Sequence, residues 1–507
     1  MKLLHLLDWS RISYVARGIL VGTLAGIVIS LFRLFVEILV EAVIEIYHFL
    51  NGNPIWIIGW VGVMLLSAFI VALLIKHEPD IRGSGIQDIE AQLYGLLHLN
   101  WVSIIWRKFI GGALAIGSGL ALGREGPSIQ LGGAVGQGVN HFLKGNRSQE
   151  NILISAGASA GLSAAFNAPV SGIMFILEEV HQKFSSVLLL AAFSASITAN
   201  FVAYQIFGVE PALNLGSMLE FPLEYYGHLI LMGIVLALGG WLYKEVLLVM
   251  PKLYSMLPIP PYLIGFIPFL LVIPVGLYFP NMLGGGTGVI NMINSSSVTL
   301  WLLIGIFVFR FVFSQISYGS GLPGGIFVPA LSLGALLGAI YGNGALMVTG
   351  IEDIFLRSFI IYAMGGFLTS VTKAPMTSVM LITEMTGTVT HLMPLAVVCL
   401  VSYVVTDFVG SEPIYDELLY RKVNRRPSIF EGQVAEIEIH VESDSDLDGM
   451  TAGELTLPYD ARIIKIRRHD NEFMPHLDTT FSAGDELIIN ADKGFLSEVR
   501  KHINKFN

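Results

Sequence analysis

The chain has 507 residues, of which 54% are hydrophobic and 13% charged, and its mean hydropathy is +0.68. Soluble domains carry roughly twice that share of charge, so the composition excludes a soluble class and predicts a polytopic helical membrane protein. Basic residues form no long cluster, so the net charge of −10 comes with no sign of nucleic-acid binding. The single cysteine, Cys399, predicts neither a disulfide framework nor a cysteine-ligated metal site.

Charge is distributed unevenly along the chain. From Asn424 to Asn507, 26 of 84 residues are charged, whereas the preceding 423 residues hold 42. This change in composition predicts a domain boundary, with a membrane domain over residues 1–423 and a small soluble tail over 424–507.

The first apolar stretch runs from Ile12 to Leu50. As one helix it would be ~58 Å long at about 1.5 Å per residue. That exceeds the ~30 Å hydrocarbon core of a bilayer, so we expect a strong tilt or an end outside the membrane. Glu37, Glu41 and Glu45 recur every four residues, and we interpret this stripe as the solvated end of the helix.

Further apolar segments follow, and several are short with glycine or proline inside. Broken helices are tolerated in membranes where they line a cavity or pack inside protein. The segments are Pro54–Ile75, Trp101–Leu122, Ile152–Leu177, Val187–Phe207, Leu229–Leu247, Tyr262–Leu277, Leu300–Phe313, Ala330–Tyr341 and Phe359–Leu400.

The stretch from Gly123 to Pro127 (GREGP) lies inside such apolar sequence. An ionisable residue at membrane depth is by default a functional hypothesis, which singles out Glu125. Pro127 is well placed to open a helix, whose free N–H groups and dipole would point back at the loop. The stretch therefore predicts an anion site beside a carboxylate. An equally weighted alternative is a structural turn with an Arg124–Glu125 ion pair.

Three motifs of the first half recur in order in the second half. Residues 83–86 match 286–289, residues 127–133 match 329–335, and residues 168–174 match 374–380. Interrupted segments at matching places in two halves are typical of transporters and indicate the substrate site. We predict repeat halves over about 12–220 and 225–420, with a relative orientation that the repeats alone leave open.

Together these motifs resemble the CLC chloride channel and transporter family. The resemblance rests on GSGIQ at Gly83, GREGP at Gly123, GGIFVP at Gly324 and a late tyrosine, Tyr415, and it extends from about Arg17 to Leu419. It implies an all-α polytopic membrane fold, an inverted repeat of broken and tilted helices. It also implies a homodimer in which each subunit has its own pathway.

The resemblance also implies roles for individual residues. Ser84 and Tyr415 would hold a central chloride through their hydroxyls, and Ile326 and Phe327 through backbone N–H groups. Glu125, between Arg124 and Gly126, would be the external gating glutamate, whose carboxylate competes with chloride. Two interpretations of Lys108 are equally weighted. It either lies near the anion path and raises the local potential, or it is an interfacial anchor beside Trp106 and Arg107.

One further position bears on the choice between exchanger and channel. In the resemblance, Glu179 corresponds to the internal proton glutamate of proton-coupled members, where channels usually carry an apolar residue. We therefore predict a chloride/proton antiporter, with a passive voltage- or pH-gated chloride channel as the alternative. Glu178 is interpreted as a cap at the end of its segment, near cytoplasmic water. The same capping role is the alternative for Glu179. Glu384 is interpreted as a buried structural carboxylate.

The tail has a different periodicity. Residues 434–441 alternate with the period of a strand, 462–467 and 486–490 read as two more strands, and 495–503 read as a helix. This predicts a small α/β domain. The tail resembles a TrkA-C (RCK C-terminal) module, some of which bind small ligands such as cyclic di-AMP. For Arg467, Arg468 and His469, a solvated strand end is favoured over a phosphate site. Residues 444–449 match half of a calcium loop, but Leu455 replaces the required glutamate, so we interpret them as a polar turn.

These observations favour an exchanger in the cell (plasma) membrane with the tail on the cytoplasmic side. A different class, an ion-regulated membrane sensor with a vestigial transport core, would bind a tail ligand without moving anions. No P-loop, nucleophile elbow or His/Glu metal spacing occurs, so the sequence predicts no enzyme, no cofactor and no metal.

Overall fold

The computed structural model describes residues 9–181, 185–213, 220–295, 298–424, 434–441, 445–468, 471–492, 495–503 and 506. The chain divides into two compact units, one of Met1–Leu93 with His98–Tyr415 and one of Tyr94–Leu97 with Asp416–Asn507. The boundary at residue 424 stays a prediction from composition.

The regular elements of the first unit are helices joined by loops. Its helices are α1 (Trp9–Gly52), α2 (Ile57–His77), α3 (Ile86–Leu93), α4 (Trp101–Gly117), α5 (Glu125–Leu143), α6 (Arg147–Phe166), α7 (Pro169–Phe175), α8 (Ser186–Phe207), α9 (Tyr226–Ser255), α10 (Phe266–Tyr278), α11 (Thr287–Ser295), α12 (Leu300–Gly319), α13 (Phe327–Thr349), α14 (Leu356–Thr372), α15 (Pro375–Thr386), α16 (Leu392–Phe408) and α17 (Ile414–Asn424), which continues past Tyr415.

Helix lengths in this unit vary widely, as the sequence predicts. Among the described residues, seven helical stretches are long and apolar enough to cross a membrane. The predicted helix over residues 12–50 is confirmed within α1, which has 44 residues. Short helices lie between the long ones, and α3 has only eight residues, most of them buried. The chain is therefore a multi-pass membrane protein with interrupted helices.

The two halves of this unit contact each other reciprocally. The amide of Gly123 donates to the Gly325 carbonyl at 2.8 Å, and the Gly325 amide donates back at 2.6 Å, in an antiparallel bridge. Contacts in which residue i meets j and j meets i arise where a two-fold relation connects two segments. The starts of α5 and α13 therefore meet where the two repeats join.

The carboxylates of Glu178 and Glu384 form a second reciprocal pair. Glu178 accepts hydrogen bonds from the Met376 and Thr377 amides at 3.0 and 2.6 Å, at the start of α15. Glu384, on α15, accepts from the Val170 and Ser171 amides at 2.9 and 2.8 Å, at the start of α7. Each carboxylate satisfies free N–H groups of a helix in the other half. Glu178 therefore caps a helix, but at the start of α15 in the other half and not, as expected, at the end of its own segment. The structural role of Glu384 is confirmed, although this residue is only partly buried.

Lys108 and Arg310 form a third matching pair, and both are completely buried. Lys108 Nζ donates to the carbonyls of Ile81 and Gly83 at 2.9 and 2.8 Å. Arg310 donates to the carbonyls of Met282 and Gly284 at 2.8 and 2.6 Å. Each cation holds the loop before a short helix, α3 or α11. The interpretation of Lys108 as an interfacial anchor is wrong, because its ammonium is buried.

The tail forms a four-stranded antiparallel sheet in the order β1-β4-β2-β3. Its elements are β1 (Val434–His440), β2 (Arg462–Arg468), β3 (Asn471–Phe473), β4 (Glu486–Asp492) and α18 (Leu496–Ile503). The predicted α/β tail, with three of these strands and the helix, is confirmed. The sequence did not predict β3, which has only three residues. Alternating side chains such as Ile439, Ile466 and Leu487 fill a separate core.

Two predictions on the tail concern charged side chains. Arg467 donates to Glu472 at 2.7 Å and also contacts Glu486, and Arg468 donates twice to Asp485 at 2.7 Å. Neither guanidinium is therefore free for a phosphate, and His469 lies outside the described residues. In the turn considered as a calcium loop, Asp444 is also outside the described residues. Leu455, at the twelfth position, packs in the core and offers no oxygen ligand.

Candidate anion and proton site

The starts of α3, α5, α13 and α17 come together at one buried place. The amide of Gly324 donates to the Gly83 carbonyl at 3.0 Å, which joins the loop before α13 to the loop before α3. The Gly123–Gly325 bridge joins α5 to α13. The first N–H groups of a helix lack intrahelical partners and carry partial positive charge. The arrangement therefore concentrates partial positive charge at the junction.

Ser84 lies at this junction because its neighbours are glycines. Gly83 and Gly85 adopt φ values of 63° and 92°, which other residues rarely adopt, and turn the chain sharply into α3. The Ser84 hydroxyl accepts a bond from the Ile86 amide at 3.2 Å. A Cβ built on Gly126 would lie 2.8 Å from the Ser84 Oγ. The predicted residues Ser84 and Gly126 are thus in direct contact.

Aromatic rings connect the junction to α17. The ring of Phe327, at the start of α13, stacks on Tyr415 with centroids 6.2 Å apart, and Phe175 meets Phe327 edge-on at 5.9 Å. Ile326 and Phe327 are both 1% exposed. The Tyr415 hydroxyl is buried and has no hydrogen-bond partner within the described part of the chain. A buried hydroxyl of this kind is available to an anion that is not part of the protein.

Glu125 is the first residue of α5 and is completely buried. Its carboxylate folds back over Gly123, where a built Cβ would lie 2.1 Å from Oε2. The carboxylate oxygens make no hydrogen bond of ordinary geometry to the described residues, although the amides of Arg124, Val328 and Glu125 itself attract them. The glutamate side chain therefore occupies the region where the helix starts would attract an anion.

Arg124 does not pair with its neighbour. Its NH1 atom donates to Glu37 on α1 at 2.6 Å. The alternative of a structural Arg124–Glu125 ion pair is therefore wrong. The predicted solvated stripe is exposed at Glu41 and Glu45, whereas Glu37 is partly exposed and also pairs with Arg33 and Arg124.

Glu179 lies beyond α7, in a π-helical turn that spans Ile176–His181. Such turns widen a helix by one residue and occur frequently at functional sites. Glu179 is 6% exposed, whereas its neighbour Glu178 points to the start of α15. The Tyr415 hydroxyl lies within electrostatic range of Glu179, Glu90 and Glu125. The two predicted proton-carrying glutamates thus lie on different elements, Glu125 at the start of α5 and Glu179 beyond α7.

Sequence reasoning missed two buried charged residues of the membrane unit. Glu90, on α3, is 1% exposed, and Arg310 is completely buried in α12. Both could have been noticed as charges inside apolar or motif sequence, and Arg310 also as the repeat partner of Lys108. Glu37 was noticed, but its partner Arg124 is 87 positions away in the sequence, so nothing local indicates the pair. Among the described residues, no group of His, Cys, Asp or Glu could hold a metal ion.

The profile of the voltage-gated chloride channel family matches residues 63–407, more than half of the chain. The chain belongs to the CLC family. The chain is 33% identical over 423 residues to the H(+)/Cl(−) exchange transporter ClcA of Vibrio parahaemolyticus, covering 81% of this chain and 90% of that protein. It is 30% identical over 431 residues to the transporter of the same name from Salmonella newport, covering 83% and 90%.

A solved structure gives the same result for the fold of this CLC chain. The X-ray structure of a slow cyanobacterial Cl−/H+ antiporter matches with a TM-score of 0.77 and 30% identity, over 82% of this chain and 98% of that one. The predicted CLC-type fold is confirmed. The TrkA-C domain profile matches residues 437–504, which confirms the family of the tail. The named relatives are transporters, in agreement with the prediction that the chain is not an enzyme.

Proposed function

We propose that this CLC chain is a secondary active chloride/proton antiporter. The observation that carries the proposal is Glu125: a buried carboxylate, itself an anion, lies where several helix starts attract anions. Chloride and the carboxylate compete for the same partial charges, so protonation of Glu125 frees the site for chloride. The names of the relatives support exchange over a passive channel.

Glu179 is the proposed internal proton residue. It is buried on the π-helical turn beyond α7, within electrostatic range of Tyr415. Glu125 lies on a different element, at the start of α5. A proton that reaches Glu125 from one side and Glu179 from the other would couple the two fluxes. Chloride would be held by hydroxyls and amides, which release it more readily than a full cation does. The residues assigned to chloride are Ser84, Ile326, Phe327, Tyr415 and the backbone around Glu125 formed by Arg124 and Gly126.

The experiment uses purified protein in liposomes with an imposed chloride gradient and a record of lumenal pH. Proton movement against its own gradient, driven by chloride, is the expected result. Chloride flux without any proton movement would identify a passive channel and leave Glu179 as a structural carboxylate.

We further propose a homodimer in the plasma membrane with a cytoplasmic, regulatory tail. The support is the family membership of both parts of the chain. Light scattering of the purified protein tests the dimer, and protease accessibility of the tail in sealed vesicles tests its side. A monomeric mass, or cleavage of the tail only from the outer face of right-side-out vesicles, would contradict these assignments.

Cyclic di-AMP is the proposed ligand class for the tail, on the basis of the TrkA-C match alone. Since Arg467 and Arg468 already bind carboxylates, the proposal does not assign the phosphates to them. Calorimetry of the full chain with cyclic di-AMP tests it. If the titration shows no heat and the melting temperature does not shift, cyclic di-AMP is refuted as the ligand. The antiport proposal is not affected by that result.

A further inference from the structure

One carboxylate of α1 contacts the residue that precedes the gating glutamate. Glu37 Oε1 accepts from Arg124 NH1 at 2.6 Å and from Arg33 Nε at 3.0 Å. The side chains of Arg33 and Arg124 are 10% and 18% exposed, and that of Glu37 is 35% exposed. A single negative charge thus lies between two largely buried guanidinium groups. Ion pairs in such surroundings are screened less by salt than pairs in open water.

Arg33 extends this contact toward α7. Its NH1 atom donates to Asn167 Oδ1 at 3.1 Å, and its guanidinium lies 3.9 Å from the centre of the Phe207 ring. Asn167 ends α6 with a left-handed backbone (φ 57°), two residues before Pro169 begins α7. A continuous set of contacts therefore connects the loop of Glu125 to the start of the helix that leads to Glu179.

We propose that Glu37 is a positioning residue of the external gate. It fixes the Arg124 guanidinium beside the start of α5 and offsets its charge. Without Glu37, uncompensated positive charge would raise the potential at the site, so chloride would bind more tightly. The same charge would favour the ionised form of Glu125, so transport would require a lower pH. The inference rests on the proposed role of Glu125 in antiport.

The first test compares Glu37→Gln with Glu41→Gln. Glu41 lies one turn further along the same helix, is exposed, and undergoes the same chemical change. Calorimetric titration of the purified full chain with chloride measures binding without transport. We expect Glu37→Gln to bind chloride roughly three- to tenfold more tightly, as for a charge removed at short range in a protein surface. The pH profile of flux in liposomes should move to a lower pH. Glu41→Gln should match the wild type in both measurements.

The second test asks whether Glu37 acts through Arg124. In an Arg124→Gln background, Glu37→Gln should change chloride affinity much less than in the wild type, because only the charge of Arg33 is then left uncompensated. Glu37→Asp, which keeps the charge, should retain wild-type affinity. Arg33→Gln removes the other guanidinium and should have the opposite sign, with chloride binding about threefold weaker. This variant decides the question if Glu37→Gln does not fold.

If Glu37 is only structural, Glu37→Gln will lower thermal stability without changing chloride affinity or the pH profile. That result would overturn the inference. An equal change in the wild-type and Arg124→Gln backgrounds would overturn it too. If the wild type binds chloride but moves no protons, the antiport proposal fails, while calorimetry still judges the effect of Glu37 on chloride. A wild type that does not bind chloride at all would refute both.

Discussion

Adjacent glutamates at the end of α7 have different surroundings. Glu178 binds the amides at the start of α15, whereas Glu179 is buried. The widened π-helical turn between Ile176 and His181 is the local cause, since it changes the angular spacing of consecutive side chains. Two residues of identical chemistry therefore provide a matched comparison.

We predict that Glu179→Gln retains chloride flux and loses chloride-driven proton movement, because the amide cannot carry a proton at this position. Glu178→Gln should keep the wild-type ratio of chloride to protons and lower only the melting temperature. Both are measured as paired chloride and pH records in liposomes. Proton coupling retained by Glu179→Gln would remove that residue from the proposed pathway.

At the residue scale, sequence motifs predicted which side chains meet, but not their ion pairs. Ser84 and Glu125 follow from local glycine-rich motifs, because a turn and a helix start are local properties. Arg124 pairs with a residue 87 positions away, and no pattern in the sequence indicates that contact. Lys108 was ambiguous because an apolar sequence does not reveal how deeply an ammonium group is buried.

Helices of the two halves stabilise each other through their ends. The Glu384 carboxylate receives three hydrogen bonds at the start of α7, from the amides of Val170 and Ser171 and from the Ser171 hydroxyl at 2.5 Å. Glu178 receives the equivalent three at the start of α15. The sequence indicated that these regions correspond, but only the structure shows that each carboxylate crosses to the other half.

We predict that Glu384→Gln destabilises the membrane unit by about 1–3 kcal/mol, because a charged acceptor at a helix start is lost. Thermal denaturation in detergent should show a lower melting temperature than for Glu352→Gln. Glu352 is also at a helix start, but it is exposed and makes no side-chain cap. Equal melting temperatures for the two variants would contradict the capping role.

The hairpin of β2 and β3 carries a pH dependence with a definite sign. Hydrogen bonds from Arg467 and the charge of Lys465 hold the pKa of Glu472 below its usual range. An unfolded glutamate has a pKa of about 4.3. The ion pairs therefore stabilise the hairpin fully above that pH, and this contribution is lost as the pH falls through the lower value of the folded state.

We predict that protection of the β3 amides from hydrogen exchange decreases below about pH 4.3, after correction for intrinsic exchange. In Glu472→Gln this pH-dependent component should be absent, because the titrating group is gone. Asp478→Asn provides an exposed control in the same domain and should behave as the wild type. The same pH dependence in Glu472→Gln and the wild type would assign the effect to another carboxylate.

At the scale of the molecule, the two repeats meet at residues with no side chain. Gly123 and Gly325 exchange hydrogen bonds between the halves, and within the first half Gly126 lies against Ser84. The repeated motifs predicted that these places correspond, but not how closely the backbones approach. That closeness is a property of the packed halves, since it brings partial charges from α3, α5 and α13 to one point. A small change there should affect anion binding before it affects the fold.

We predict that Gly126→Ala weakens chloride binding about tenfold or more. The added Cβ would lie 2.8 Å from the Cβ and Oγ of Ser84 and 2.9 Å from its Cα, so the backbone of Ser84 must move. Overpacking of this kind typically costs about 1–3 kcal/mol. Gly305→Ala, in α12, meets no atom within 4 Å and should leave chloride affinity unchanged. Calorimetric titration with chloride measures both. Wild-type affinity in Gly126→Ala would mean that chloride does not depend on the contact between Ser84 and the start of α5.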